Sequence, residues 1–189
     1  SSDWTAARII SRAERWNVPS GDTGSPWKLY PRTILPPFLG SVETVIPAQS
    51  GAVLDTSPQP PYAFAVAPDA AEYAVSTLPV VFPGDGKVHY AVFDAGELVN
   101  AWVSLEVEGA TGTAVEVMWA EAPSLEGEKG RRDQLEHRRI EGSADVYVLK
   151  GNGPERYEPM SWRTFRFIRV AARCDAPVSI RALQFRRVG

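Results

Sequence analysis

The stretch Ala101-Trp102-Val103-Ser104-Leu105-Glu106-Val107-Glu108 decides the fold of this chain. Apolar residues at positions 103, 105 and 107 alternate with polar residues at 104, 106 and 108. Because successive side chains of a strand point to opposite faces, this alternation predicts a half-buried β-strand. The next stretch, 113–121, alternates in the same way and places Val115, Val117 and Trp119 on its apolar face.

Short runs of apolar and polar residues continue on both sides of these two strands. Further strands are predicted at Lys87–Phe93, Ala144–Lys150, Glu155–Met160, Phe165–Ala172 and Val178–Arg187. The turns predicted between strands are Asp94-Ala95-Gly96, Gly109–Gly112, Gly151-Asn152-Gly153 and Asp175-Ala176-Pro177. Short strands at such regular spacing predict an all-β fold, an antiparallel β-sandwich of the jelly-roll or concanavalin-like type.

Residues 1–86 differ from the rest because they hold most of the 16 prolines. Proline fixes φ and lacks an amide donor, so this part is predicted to be an irregular, Pro-rich N-terminal extension with short edge strands. Aromatic residues are expected to anchor it: Trp4, Trp16, Trp27, Tyr30 and Phe38. We expect the extension and the sandwich core, 87–189, to form one domain; two small domains are the alternative.

Charge and composition restrict the partners. A net charge of −3 argues against nucleic acid and against a polybasic membrane anchor, and no apolar run approaches the roughly 20 residues that span a bilayer. The single cysteine, Cys174, excludes an internal disulfide and is expected to be a small buried hydrophobe. His89 and His137 have no metal-ligand spacing with it. We expect both ends to be cuts from a longer protein, so cytoplasm, periplasm and secretion all stay open.

An ordered series of short motifs gives the chain a family resemblance. The series is Phe93-Asp94-Ala95-Gly96, Gly109-Ala110-Thr111-Gly112, Trp119-Ala120-Glu121, Asp145-Val146-Tyr147-Val148-Leu149-Lys150-Gly151, Glu155-Arg156-Tyr157-Glu158-Pro159 and Thr164-Phe165-Arg166-Phe167. It resembles the β-sandwich domain that precedes the catalytic barrel in bacterial α-L-rhamnosidases. The upstream segments 3–7 and 27–36 are similar to the family as well. The chain departs from the family at Trp119, where Tyr is usual, and at Thr164, where Gly is usual.

The resemblance implies an accessory, non-catalytic domain of a rhamnosidase-like glycoside hydrolase. Glycoside hydrolysis needs two carboxyl groups across the scissile bond, and in this family they belong to the barrel that follows the sandwich. The partners implied are the catalytic domain of the parent protein and a rhamnose-containing carbohydrate. Two alternatives remain: an independent carbohydrate-binding module, and a structural or interaction domain unrelated to sugars.

Six residues are candidates for carbohydrate contact. They are Trp102, Trp119, Glu121, Trp162, Arg163 and Arg166. Trp102 falls on the polar face of its strand, where a large aromatic suits either stacking on a pyranose ring or contact with another domain. The two arginines can pair with a carboxylate such as Asp145 or Glu121, and a purely structural cross-strand ion pair is the alternative.

A calcium ion is the only cofactor that the sequence leaves open. Asp94 and Glu121 lie at strand ends, where carboxylate oxygens of a jelly roll can bind Ca²⁺. The alternative for Asp94 is a turn or cap hydrogen bond, in which its carboxylate accepts from backbone amides of the turn that contains Gly96. Tyr147 and Tyr157 are expected in the core or at its rim, with their hydroxyls hydrogen-bonded.

Overall fold

The computed structural model describes residues 14–15, 28–29, 39–53, 71–73, 77–125, 128–133, 135 and 138–189. The chain divides into two compact units, Ser1–Pro37 and Phe38–Gly189. In the first, β1 (Glu14–Arg15) pairs in parallel with β2 (Lys28–Leu29). The aromatic anchors predicted for the extension, Trp4, Trp16, Trp27, Tyr30 and Phe38, lie outside the described residues, as does His137.

The second unit is built from strands, and no helix occurs among its described residues. The strands are β3 (Leu39–Thr44), β4 (Ile46–Val53), β5 (Ala71–Tyr73), β6 (Val80–Phe82), β7 (Val88–Glu108), β8 (Ala114–Ala120), β9 (Ser124–Leu125), β10 (Glu128–Lys129), β11 (Ser143–Val148), β12 (Glu155–Tyr157), β13 (Arg163–Arg173) and β14 (Val178–Val188). All their pairings are antiparallel. The predicted all-β, antiparallel fold is confirmed.

Strand β7 takes part in both layers of the sandwich. Its first part, 88–94, pairs with β4 on one side and with β13 on the other, and β13 continues to β8 and β11. Its second part, 101–108, pairs with β14, which continues to β3 and β6. A single hydrogen-bonded sheet therefore folds over to supply both faces of one core.

The core lies between these two layers. Aromatic contacts connect them: Trp119 of β8 packs on Phe165 at 5.6 Å between ring centroids, and Phe165 meets Phe185 of β14 edge-on at 6.0 Å. Val103, Leu105 and Val107 are buried as the alternation predicts, whereas Trp102 is only partly covered. Burial of this set supplies the main driving force for folding.

The predicted turn Asp94-Ala95-Gly96 is not a break between two strands, because β7 runs through it from Val88 to Glu108. It is the corner at which the partner on one side of β7 changes from β4 to β14, while β13 pairs with β7 on both sides of the corner. Gly96 adopts φ +81°, and its amide donates to Asp94 Oδ1 at 2.8 Å. Opposite it, β13 has a register shift between Phe165 and Phe167, and the guanidinium of the intervening Arg166 donates to both Asp94 oxygens at 2.8 and 3.0 Å.

The outer face of the first layer is also buried. Its side chains form a second apolar cluster of Val88, Tyr90, Val92, Ala120, Ile140, Phe167 and Ala171. Arg169 and Glu116 lie on the same face, are almost fully buried and form an ion pair. Arg169 also donates to the carbonyl of Ile140 at 3.3 Å. This contact fastens the segment before β11 onto the sheet.

The prediction that residues 1–86 supply only edge strands needs correction, and the prediction for Cys174 is confirmed. Strand β4 lies between β5 and β7, so residues 1–86 supply an inner strand as well as edge strands. Proline has no amide hydrogen to donate, and the β4–β7 pairing has a register shift just after Pro47, an irregularity at which proline is tolerated in a sheet. Cys174 is fully buried, as predicted, and burial raises the pKa of its thiol to about 12.

Candidate functional site

A cleft of about 670 Å³ opens beside the end of β8 and the start of β13. Four of the six predicted contact residues line it, namely Trp119, Glu121, Trp162 and Arg163. Polar residues that the sequence did not single out complete the lining: Ser124, Lys129, Glu141, Ser143 and Thr164. We call this region the Trp162 cleft.

Two lining residues, Trp119 and Arg163, are bound to Asp145 of β11 in a hydrogen-bonded network. Asp145 does not itself line the cleft, and we call this network beside the lining the floor. Arg163 Nη2 donates to both carboxylate oxygens of Asp145 at 3.0 and 2.9 Å. Tyr157 Oη and Trp119 Nε1 donate to Oδ2 at 2.8 and 3.1 Å. The predicted Arg163–Asp145 ion pair and the predicted hydrogen bond of the Tyr157 hydroxyl are confirmed.

The electrostatics of the floor follow from these bonds. Partial burial raises the pKa of Asp145, but the hydrogen bonds from Tyr157, Arg163 and Trp119 outweigh it and hold that pKa below its ordinary value. Burial and the same hydrogen bond raise the pKa of Tyr157. Asp145 therefore stays ionised and Tyr157 stays protonated at neutral pH, which fits a structural network rather than a proton-transfer site.

A second carboxylate fixes the turn next to the floor. Glu155 Oε1 accepts from the backbone amides of Lys150 and Gly151 at 2.8 and 2.9 Å, and its Oε2 accepts from Tyr147 Oη at 2.9 Å. Gly151 has φ +76°, and a Cβ there would lie 2.6 Å from the backbone nitrogen of Thr111. This position therefore requires glycine.

The wall of the cleft is more exposed than its floor. Trp162 has 48% of its surface accessible. Lys129 Nζ lies 2.6 Å from Glu121 Oε2, and this hydrogen bond is the main reason that the pKa of Glu121 falls below its ordinary value. Glu141 is exposed and forms no ion pair within the described part of the chain.

The other predicted contact residues lie elsewhere. Arg166 pairs with Asp94 at the corner of β7, and neither lines the cleft. Trp102 lines a separate groove of about 460 Å³ on the outer face of the second layer, with Leu39 and Val42. The register sets Val42, Arg186 and Trp102 side by side on β3, β14 and β7. We call this surface the Trp102 groove.

The predicted calcium ligands are both engaged in other contacts. Asp94 accepts from Gly96 and Arg166, so the turn hydrogen bond expected as the alternative is confirmed. Glu121 pairs with Lys129 rather than with an arginine guanidinium. No group of three or more His, Cys, Asp or Glu side chains that could hold a metal occurs among the described residues. In the same residues, no helix could span a bilayer.

The fold defines a class of protein: an antiparallel β-sandwich whose two layers share one bent strand, β7. The family model for the bacterial alpha-L-rhamnosidase concanavalin-like domain matches residues 86–186, more than half of the chain. The chain belongs to this family. A search of curated proteins gave no match.

The chain is also similar to solved structures. The chain is similar to a GH78 family rhamnosidase of Bacillus sp. GL1 at 21% identity and TM-score 0.48, over 63% of this chain and 13% of that one. It is similar to a rhamnosidase from Klebsiella oxytoca with rhamnose bound at 14% identity and TM-score 0.46, over 80% of this chain and 30% of that one. It is similar to an alpha-L-rhamnosidase from Dictyoglumus thermophilum at 18% identity and TM-score 0.34, over 55% of this chain and 12% of that one. The chain thus spans less than a third of the length of each of these proteins.

Proposed function

We propose that this chain is a non-catalytic accessory domain of an α-L-rhamnosidase-like glycoside hydrolase, and that it supports the catalytic domain and contacts carbohydrate. The observation that carries the proposal is how the carboxylates of the family motifs are used. Asp94 is held by Arg166, Asp145 by Arg163 and Glu155 by two backbone amides. Each of these groups has a structural role within the sandwich.

The pKa values favour the same proposal. A glycosidase needs a general acid whose pKa is raised by its surroundings. Among the described carboxyl groups with a shifted pKa, every shift is downward: Glu43, Asp85, Glu121, Asp133, Asp145 and Glu155. A chain that works only alongside a catalytic domain needs no such acid of its own.

The Trp102 groove is the surface that suits a neighbouring domain. Leu39 and Val42, which line the groove with Trp102, are 48% and 47% exposed, and adjoining exposed apolar side chains mark contact surfaces. Arg156 and Glu158 pair with each other at the rim. An apolar centre with a polar rim is typical of interfaces between domains.

The coding sequence downstream of Gly189 tests the accessory role directly. A helical barrel with paired carboxylates is expected there, and its absence would overturn the proposal. The purified chain should not hydrolyse an aryl α-L-rhamnoside, whereas the chain extended by that barrel should. In the extended protein, Trp102→Ala should lower the Tm more than it does in the chain alone, because only the extended protein has an interface to lose.

A further inference from the structure

We propose that the Trp162 cleft binds one neutral pyranose unit of a glycoside, with the Trp162 indole against the C–H face of the ring and the wall carboxylates accepting its hydroxyls. This inference rests on the carbohydrate contact proposed above and names its place and ligand class. The cleft, at about 670 Å³, falls in the usual size range of small-molecule sites.

The first support is the contrast between neighbouring tryptophans. Trp119 is 4% exposed and donates its indole N–H to Asp145. Trp162, which lines the same cleft, is 48% exposed. A rigid aromatic side chain left open at the mouth of a polar cleft offers a large contact area at small entropic cost.

The second support is that the chain segment bearing Trp162 is held in place. Arg163, bound to Asp145, also donates through Nη1 to Ser161 Oγ at 2.5 Å. The same guanidinium lies over the Trp119 ring at 5.9 Å. Residues on both sides of Trp162 are therefore tied to the floor, and a ligand meets a surface that is already ordered.

The third support is the charge of the cleft, which selects the ligand class. Lys129 is neutralised by Glu121, and Arg163 by Asp145. Glu141 forms no ion pair with a described residue, so its carboxylate is available to a ligand at the wall of the cleft. Carboxylate oxygens accept strong hydrogen bonds from sugar hydroxyls but repel the carboxylate of a uronic acid. A neutral sugar is favoured for this reason.

A buried hydroxyl adds a fourth observation. Ser124 is 7% exposed and contributes to the lining of the cleft. Its Oγ has no hydrogen-bond partner among the described residues. Buried polar atoms in proteins are nearly always hydrogen-bonded, so a partner from a bound polar molecule fits this position.

Sugar titrations of the full chain test the proposal. L-rhamnose, D-galactose and D-galacturonate are titrated while the indole N–H resonances of the 15N-labelled protein are recorded. Neutral sugars should shift the Trp162 resonance, which is identified by its loss in Trp162→Ala. Galacturonate should bind several-fold more weakly, and added salt should narrow that difference because it screens the repulsion.

Variants locate the site and check the charge argument. Trp162→Ala should reduce affinity for the neutral sugar about tenfold or more, a change of about 1.4 kcal/mol, whereas the matched Trp102→Ala should leave it unchanged. Glu141→Gln should weaken binding and Glu141→Lys should raise the affinity for galacturonate. Unchanged circular dichroism and Tm show that each variant is folded.

Three outcomes would overturn the inference. The cleft is not a sugar site if no sugar shifts the Trp162 resonance at concentrations up to about a hundred millimolar, because a site with a millimolar dissociation constant would be saturated there. Tighter binding of galacturonate than of neutral sugars refutes the charge argument. Loss of binding in Trp102→Ala alone places the site in the other groove. None of these affects the accessory role, which depends on the downstream sequence.

Discussion

In the floor of the Trp162 cleft, Asp145 meets donors from Arg163, Tyr157 and Trp119 at 2.8 to 3.1 Å. In its wall, Trp162 is 48% exposed and Glu141 forms no ion pair with any described residue. The two regions are in contact, but their polar groups are used differently. The floor uses its groups to hold four strands together, β8, β11, β12 and β13, and the wall leaves groups available for another molecule.

From this difference we expect that stability and binding are separable in this domain. Floor substitutions should lower the free energy of unfolding, because they leave partly buried groups without partners. Wall substitutions should change binding with little effect on stability, because exposed side chains contribute little to folding. Each prediction below tests one side of that division.

Asp145→Ala should give the largest effect, a loss of about 3 kcal/mol in the free energy of unfolding. It removes the acceptor of the Arg163, Tyr157 and Trp119 hydrogen bonds at once. Urea denaturation followed by circular dichroism measures it.

Asp133→Ala is the matched control for that substitution. Asp133 also pairs with an arginine, Arg131, but the two side chains are 59% and 73% exposed. Its removal should leave the denaturation midpoint in place. If the two alanine variants unfold at the same urea concentration, the Asp145 network does not stabilise the fold.

The acid limb of the stability curve should depend on the same carboxylate. The folded-state pKa of Asp145 is lower than its ordinary value, which is about 3.9 in unfolded chains. Its contribution is therefore complete above that value and is lost as the pH falls through the folded-state pKa. The difference in free energy of unfolding between the protein and Asp145→Asn should be constant from about pH 5 to 7, because Asp145 is ionised in both the folded and the unfolded state there. It should shrink below about pH 4. At pH 3 the Asp145 carboxyl of the unfolded chain binds about one proton, whereas the folded one binds less. A stability difference that is independent of pH down to about 3 would therefore contradict an ionised Asp145 in the network.

Much of this floor was predictable from the sequence, whereas of the wall only Trp162 and Glu121 were predicted. The alternation of Val103, Leu105 and Val107 was sufficient to identify the strand, because burial on one face imposes a period of two. The family motifs contain Asp145 and Tyr157, whose partners follow from strand order. Glu141 and Lys129 come from an irregular charged segment, and no periodicity shows which of its charges reach the cleft.

The corner of β7 shows a second limit of the sequence. The motif Phe93-Asp94-Ala95-Gly96 predicts a turn, and its Asp–Gly hydrogen bond is present. The sequence does not show that β7 continues through this point, where Asp94 also accepts from Arg166 of a strand 72 residues further along the chain. The two departures from the family, Trp119 and Thr164, both line the cleft. Trp119 is buried and donates to Asp145, so this departure belongs to the scaffold, whereas Thr164 is exposed and changes the surface.

Tyr157→Phe should have an intermediate effect, a loss of about 1 kcal/mol. It removes one donor to Asp145 while the ring remains packed on Tyr147 at 5.5 Å between centroids. Asp145 keeps Arg163 and Trp119, so the carboxylate is not left unpaired. A loss as large as that of Asp145→Ala would show that the hydroxyl, not the ion pair, holds the floor.

Lys129→Met should give the smallest effect on stability, with no measurable change in Tm. Lys129 and Glu121 are 59% and 44% exposed, and solvent and salt screen such a pair. The substitution releases Glu121 from its main hydrogen bond, so the pKa of Glu121 should rise toward its ordinary value. Carbon-detected NMR titration of the Glu121 carboxyl measures that change. A Tm loss matching Tyr157→Phe would mean that the wall is part of the scaffold, and the division between the two regions would then fail.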